Sequence, residues 1–443
     1  MQPDEPAPVQ RLSRVQDGPA TAMIDAPSVT KRSDLAPVGR GFITRLVLAI
    51  VGTGVAYIAA MAYSLALRVD QLAPGHEEYL GYLTALGGVL SIALQPILGV
   101  FSDRTRSRFG RRRPYLAGGA LVGTLGLLIL ATAPDMAVLT VGWLVTVLGW
   151  SMAAQTATGS LQADLVPEEQ RGRIAGLAGF ATLVAPALGV GIASLGTGNS
   201  MALLLGPGLI GALLVLPLVL MGNEDKPAAE PPEPMPLRAL FAKLLFDPRR
   251  FPDFSWNWLG RFLFFVGLTF NTTFTTFLFA QRLGKTVSEV GALVTMVAGA
   301  GIIATTIGAL GGGFLSDRLR RRRVLVLIAG CVFALGAVVM ALSGGMAGLI
   351  VGAALSNLGM GAFSAVDQAV LLDVLPDRRE AGRFLGIMNY ATQIPHGIAP
   401  LAASVLLALG ASGEKNYTAL YLAGGVCTVL GGAVIHLRVK GSR

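Results

Sequence analysis

Twelve long apolar stretches, separated by short polar segments, run through this 443-residue chain. A helix needs about 20 apolar residues to cross the hydrocarbon of a bilayer. Lipid offers no partner to an unsatisfied backbone amide, so each stretch must be helical. Composition agrees, with 53% of residues hydrophobic and 14% charged, against about 25% charged in an ordinary soluble domain. The expected spans are 43–68, 79–101, 114–133, 137–163, 173–195 and 201–221, then 256–281, 288–315, 324–343, 346–371, 383–409 and 418–437. The fold class that follows is an all-α membrane protein of twelve transmembrane helices, with the lipid bilayer as its first partner.

The net charge of +9 would suggest nucleic acid in a soluble protein. Here the cations sit in loops. Arg104, Arg106, Arg108, Arg111, Arg112 and Arg113 follow the second stretch, and Arg318, Arg320, Arg321, Arg322 and Arg323 follow the eighth. Arg171 and Arg173 follow the fourth; Arg378, Arg379 and Arg383 follow the tenth. The opposite loops hold only Arg68, Arg282, Lys285 and Lys415. The positive-inside rule explains this asymmetry without nucleic acid and places both termini in the cytoplasm, in the inner cell membrane. Cys331 and Cys427 lie far apart inside apolar segments and read as small hydrophobes, not as a disulfide or a metal site.

The expected organisation is a disordered tail over 1–42, a six-helix bundle over 43–221, a loop over 222–255, a second bundle over 256–437 and a short tail over 438–443. The loop begins Pro-rich. It then spaces Leu237, Leu240, Phe241, Leu244 and Leu245 at helical intervals, with Arg238 and Lys243 on other faces. That pattern predicts an amphipathic helix lying on the membrane surface.

The two bundles repeat. Gly99-Val-Phe-Ser-Asp103-Arg104 matches Gly313-Phe-Leu-Ser-Asp317-Arg318, an offset of 317 − 103 = 214. Asp164-Leu-Val-Pro167 matches Asp373-Val-Leu-Pro376, an offset of 373 − 164 = 209. Gly172-Arg173 and Gly176 likewise match Gly382-Arg383 and Gly386. Glycine admits close helix packing. The motif aspartates suit the positive end of a neighbouring helix, as parts of a cytoplasmic gate; the competing reading is that these charges only anchor the loops.

At these residues the chain resembles the major facilitator superfamily, whose cytoplasmic loop signature the two Gly-x-x-Ser-Asp-Arg copies match. The string from Ser102 through Arg111-Arg112-Arg113-Pro114 is similar to the sucrose–proton symporters of plants and their relatives, which border on the glycoside–pentoside–hexuronide cation symporters. Ala365-Val366-Asp367-Gln368-Ala369, and on to Pro395 and Pro400, resembles bacterial members of that group. The resemblance implies two six-helix repeats with a substrate site between them. It also implies spans seven and ten lining a central cavity. Melibiose-type relatives carry paired acids in span two, but here Tyr79 to Phe101 contains none and Gln95 is the main polar side chain, so sodium coupling through such a pair is not expected.

Ionisable groups inside spans are costly and mark function. Asp367 is the acid well inside a span and Arg261 lies near the same end of span seven. They are expected to pair, with protonation of Asp367 releasing Arg261; a static structural pair is the alternative. His396 either titrates or serves as a hydrogen-bonded polar residue. Arg45 occupies the position matching Arg261, where snorkelling explains it equally well. Tyr57, Tyr63, Gln95, Trp150, Gln155, Asn271, Thr272, Thr273, Asn357, Asn389 and Gln393 supply neutral donors, acceptors and aromatic faces. Such a set suits a sugar, although the same residue types also glue helices together. No P-loop, metal cluster or catalytic triad signature is present, so no cofactor, metal or enzymatic activity is expected. The expected function is proton-coupled uptake of a sugar or glycoside by a monomer. The rivals are an exporter of drugs or natural products by proton antiport, and a non-transporting sensor or assembly factor on the same fold.

Overall fold

A computed structural model describes residues 37–107, 109–221, 246–376, 380–408 and 415–442. The tail through residue 36, the expected amphipathic helix at 237–245, and Arg378 and Arg379 lie outside the described residues. The described chain is helical, and its β features amount to one isolated bridge between Ser107 and Gly110.

The first six spans are α1 Arg40–Leu72, α2 Glu78–Arg104, α3 Arg113–Thr132, α4 Met136–Gln155, α5 Glu168–Ser194 and α6 Ser200–Met221. The second six are α7 Pro252–Thr273, α8 Gly291–Leu319, α9 Arg322–Leu342, α10 Met346–Asp373, α11 Ala381–Ala408 and α12 Tyr417–Arg438. Helix α7 continues, after a 47° bend, through Thr275–Leu283, and counting that pair as one span gives twelve. Helix α1 holds a π turn at Ala60–Ser64; α4 holds one at Thr156–Ser160 and then runs on through Leu161–Leu165. Because the number of crossings is even, both described chain ends share one face, called here the terminal face; the opposite is the far face.

Local sequence sets the ends. Asp135 caps α4 by accepting the Ala137 and Val138 N–H groups at 2.9 Å, and Asn416 caps α12 through the Ala419 N–H at 2.9 Å. Caps of this kind satisfy donors that helix geometry leaves open. Inside the bundles, small residues bring backbones together as lipid-embedded helices require. A Cβ added at Gly149 of α4 would stand 2.0 Å from the Gly123 nitrogen of α3.

In the first half α1 packs on α5 and α6, and α3 on α4 and α6. In the second, α7 packs on α11 and α12, and α9 on α10 and α12. Two seams join the halves: α2 against α11 and α5 against α8.

Candidate functional site

The seams are closed at one end. At the far face, Tyr63 of α1 donates to the Val287 and Ser288 carbonyls at 3.5 and 3.4 Å. Thr276 donates to the Ala62 carbonyl at 3.2 Å and Ser404 to the Glu78 carbonyl at 3.1 Å. Lys415 binds Glu78 at 2.5 Å, and the Tyr417 hydroxyl donates to Glu77. These contacts fasten the two halves to each other at the far face. Toward the terminal face, Gly99 of α2, Gly176 of α5, Gly313 of α8 and Gly386 of α11 each have open space where a Cβ would stand. A cleft between the halves therefore opens toward the terminal face.

Asp367 sits on the second-half wall. Val366 and Val370 place that stretch of α10 in the second-half core, and the acid goes in with them, 1% exposed. Its Oδ2 lies 3.1 Å from Nη1 of Arg261 on α7. The Arg261 Nε donates to Thr392 Oγ1 of α11 at 3.1 Å, and the guanidinium lies 5.8 Å from the centre of the Phe265 ring. Three helices thus meet at one cation. The other carboxylate oxygen, Asp367 Oδ1, is buried without a hydrogen-bond partner. A buried acceptor left open is expensive. One turn before Arg261 on the same face of α7, Asn257 is fully buried with both amide atoms unpartnered.

His396 belongs to the same neighbourhood. Its ring lies 6.1 Å from Phe265, which stands between it and Arg261. His396 Nδ1 is 3.2 Å from Thr269 Oγ1, whose own proton goes to the Phe265 carbonyl at 2.8 Å. That leaves the threonine oxygen as acceptor and fixes Nδ1 as the donor.

A family model described as Major Facilitator Superfamily matches residues 41–400 and 280–442. The chain belongs to the major facilitator superfamily. It is a multi-pass membrane carrier, not an enzyme. This facilitator is similar, 30% identical over 115 residues, to the General alpha-glucoside permease of Schizosaccharomyces pombe, covering 25% of this chain and 18% of that protein. It is 34% identical over 125 residues to a Probable 4-methylmuconolactone transporter of Cupriavidus pinatubonensis, covering 28% of each. It is 30% identical over 102 residues to the Sucrose transport protein SUT1 of Oryza sativa subsp. japonica, covering 23% of this chain and 18% of that protein. The matches thus span between 18% and 28% of these relatives' lengths. Among solved structures, the nucleoside transporter NupG superposes with TM-score 0.69 at 14% identity, covering 91% of this chain and all of that one. A bacterial homolog of the human lysosomal transporter Spinster, in an inward-facing and unoccupied conformation, superposes with TM-score 0.66 at 16% identity over 91% and 98%.

The neutral candidates of the facilitator divide by position. Asn389 is exposed and Gln393 half-buried. Their helical angles fall between Thr392, which meets α7, and Gly397, which meets α2, and so they face the cleft. Across from them, Tyr57 stacks on Trp143 with centroids 6.2 Å apart. Gln155 donates to the Gln95 carbonyl at 3.2 Å and keeps an unpartnered Oε1 beside the π turn of α4. Ser91 and Ser151, 3.4 Å apart between α2 and α4, join this group although the sequence did not single them out.

The other candidates are engaged within and between helices. Tyr63 fastens the far face, as above. Trp150 is fully buried against Gly123. Asn357 joins α10 to α8 by accepting from Thr305 at 3.3 Å. Asn271 is buried against Gly424 of α12. Thr272 and Thr273 return their hydroxyls to the Leu268 and Thr269 carbonyls of their own helix at 3.0 and 2.8 Å.

The loop motifs pin helix ends within each half. Arg112 holds Asp164 at 2.8 Å, with Arg111 adding a 2.6 Å contact; Arg322 holds Asp373 at 2.6 Å. Arg113 donates to the Val219 carbonyl at 2.6 Å, and Arg323 to the Val439 carbonyl at 2.5 Å. The offsets, 322 − 112 = 210 and 323 − 113 = 210, make these repeat-related devices. Arg45 likewise donates to the Met221 carbonyl at the end of α6, so it does more than snorkel. Arg104, Arg173, Asp317 and Arg318 are exposed on the terminal side, and Arg383 pairs locally with Glu380 at 2.8 Å. The close packing expected of Gly99 and Gly313 is absent in this conformation, because the cleft is open there.

Proposed function

We propose that this facilitator takes up a neutral sugar or glycoside together with protons, by alternating access, with Asp367 as the proton-binding group. The observation that carries the reading is the buried Asp367 carboxylate, one oxygen on Arg261 at 3.1 Å and the other without a partner. Charged, it needs Arg261; neutral, it does not. Protonation at Oδ1 would free Arg261 to rest on Thr392 and the cleft, coupling proton occupancy to rearrangement of α7, α10 and α11. The cleft set of Tyr57, Gln155, Asn389 and Gln393 offers amides and an aromatic face, the chemistry sugars use. Relatives named as an alpha-glucoside permease and a sucrose transport protein agree with that class. The arginine-rich loops support an inner-membrane protein whose terminal face, with both termini, is cytoplasmic, and each cleft is complete within one chain, consistent with a monomer.

A second substrate class is favoured by one observation. The relative named as a 4-methylmuconolactone transporter is the most identical of the three, at 34%, and Arg261, 18% exposed at its side chain, could receive a carboxylate. Uptake into proteoliposomes under an imposed pH gradient separates the readings, using disaccharides, glycosides and lactone acids in turn. The proposal expects gradient-driven accumulation of a disaccharide or glycoside, lost in Asp367→Asn while gradient-independent exchange persists. Full gradient-driven accumulation in Asp367→Asn would remove the aspartate from the coupling role.

A further inference from the structure

The two halves differ at one pair of matching sites on the terminal face. In the first half, Ser102 at the end of α2 receives a hydrogen bond from Arg112, and residues 105–112 fill the turn into α3, which begins with Pro114 in its first turn. In the second half the turn shrinks to residues 320–321. Ser316, the counterpart of Ser102 at the 214 offset, is 2% exposed, and its hydroxyl has no partner. It borders a cavity of about 560 Å³ lined also by Asp317, Arg320, Arg322, Asp373 and Gly441.

Three further features of this cavity share one sign. The N-terminus of α9, a helix of 21 residues, has no side-chain cap and no proline to remove a donor. Its first amides are therefore open and its dipole favours an anion. Arg320, which caps α8 in the left-handed region at φ 51 with its N–H on the Ser316 carbonyl at 3.0 Å, adds a guanidinium to the lining. Arg322 spends Nη1 on Asp373 and the Ala369 carbonyl. Of the two acids, Asp373 is already engaged by Arg322 and Ser442 and Asp317 is exposed, while five arginines crowd positions 318 and 320–323.

We propose that this cavity binds a phosphate group, held by Ser316 Oγ, the guanidinium groups of Arg320 and Arg322, and the open amides of α9. The group is either the headgroup of an anionic phospholipid or free phosphate. Phosphate oxygens accept bidentate donation from arginine and give the stranded hydroxyl its missing acceptor.

The test uses the full chain in a neutral detergent, titrated separately with dioctanoyl phosphatidylglycerol, dioctanoyl phosphatidylcholine and inorganic phosphate. Binding is read by thermal unfolding and by native mass spectrometry. Phosphatidylglycerol alone binding the wild type identifies a lipid site, and inorganic phosphate binding comparably identifies a soluble anion; either upholds the cavity. Ser316→Ala is expected to weaken binding about tenfold, the worth of one hydrogen bond to a charged group. Without ligand it should unfold at an equal or higher temperature, because a stranded buried hydroxyl is gone. Arg320→Asn removes the guanidinium while tolerating the left-handed backbone and should abolish binding. Ser102→Ala, in the filled first-half counterpart, should leave binding unchanged. No binding of either phosphate probe by the wild type, or binding unaltered by Ser316→Ala and Arg320→Asn together, overturns the proposal.

Discussion

Gly88 of α2 crosses Gly397 of α11 at the seam between the halves. A methyl at Gly88 would stand 2.5 Å from the Gly397 Cα and 2.8 Å from the His396 carbonyl oxygen, where ordinary contact begins at 3.4 Å. Both obstacles are backbone, so the two helices must part by about 1 Å to admit the methyl, a shift of the size that overpacking enforces. Overpacking costs about 1–3 kcal/mol, and here the cost falls only on conformations in which the far face is shut. Gly88→Ala should therefore raise the ratio of far-face-open to far-face-closed molecules by about 5- to 150-fold, at 1.4 kcal/mol for each factor of ten. The shift can be read by pulsed electron resonance between spin labels on Gly198→Cys and Gly344→Cys, which sit on exposed far-face turns of opposite halves, with Cys331 and Cys427 replaced by serine. A longer-distance population should grow in Gly88→Ala. Gly149→Ala, which clashes with Gly123 inside one half, should lower the unfolding temperature without moving the distance. If both variants lose stability alike and neither changes the distribution, the seam is ordinary core and the reasoning fails.

Glu77, just outside the membrane span of α2, has its pKa raised, chiefly by burial and against the pull of Tyr417 and Lys415, with Asp70 and Glu78 adding repulsion. Its proton is held more tightly when the far face is closed. The stabilisation of closure is therefore fully present below the ordinary glutamate value of 4.5 and fades as pH rises through the raised one. Acidifying the far side across that window should close the face in the spin-label assay, and Glu77→Gln should remove the dependence. Arg112→Gln should leave Asp164, whose side chain is 26% exposed, to Arg111 alone and lower stability by about 1.5 kcal/mol, the low end for a hydrogen bond to a charged group; chemical denaturation in micelles measures it. Asp367→Asn should also flatten the pH dependence of substrate exchange, which stopped-flow measurement at fixed substrate can follow.

Much of the architecture was legible because lipid sets it. Span length follows from hydrocarbon thickness, and the duplicated Gly-x-x-Ser-Asp-Arg and Asp-x-x-Pro motifs show two halves. Arg261 and Asp367 stood out because charge inside a span is rare. What hydropathy does not show is azimuth. Helices such as α4 and α8 are apolar all round, so the sequence could not separate Tyr57, which reaches the first-half wall, from Trp150, which is sealed against Gly123. Tyr63 and Asn357 likewise show their contacts only in three dimensions. Thr392 and Asn257 carried no signal of their own, being ordinary polar residues until the third dimension brings them to the α7 face. The Arg112-Arg113 and Arg322-Arg323 pins did carry one. Aligning the halves at an offset of 210 would have set them apart from loop cations that only anchor.

The hydrogen bonds that hold the two halves together gather on one outer surface, around Glu78 and Lys415. A nanobody or cyclic peptide gripping both sides of that bridge would arrest the cycle while leaving the cleft vacant and its selectivity untouched. Such a reagent would act as a brake rather than a competitor, and no concentration of substrate could displace it.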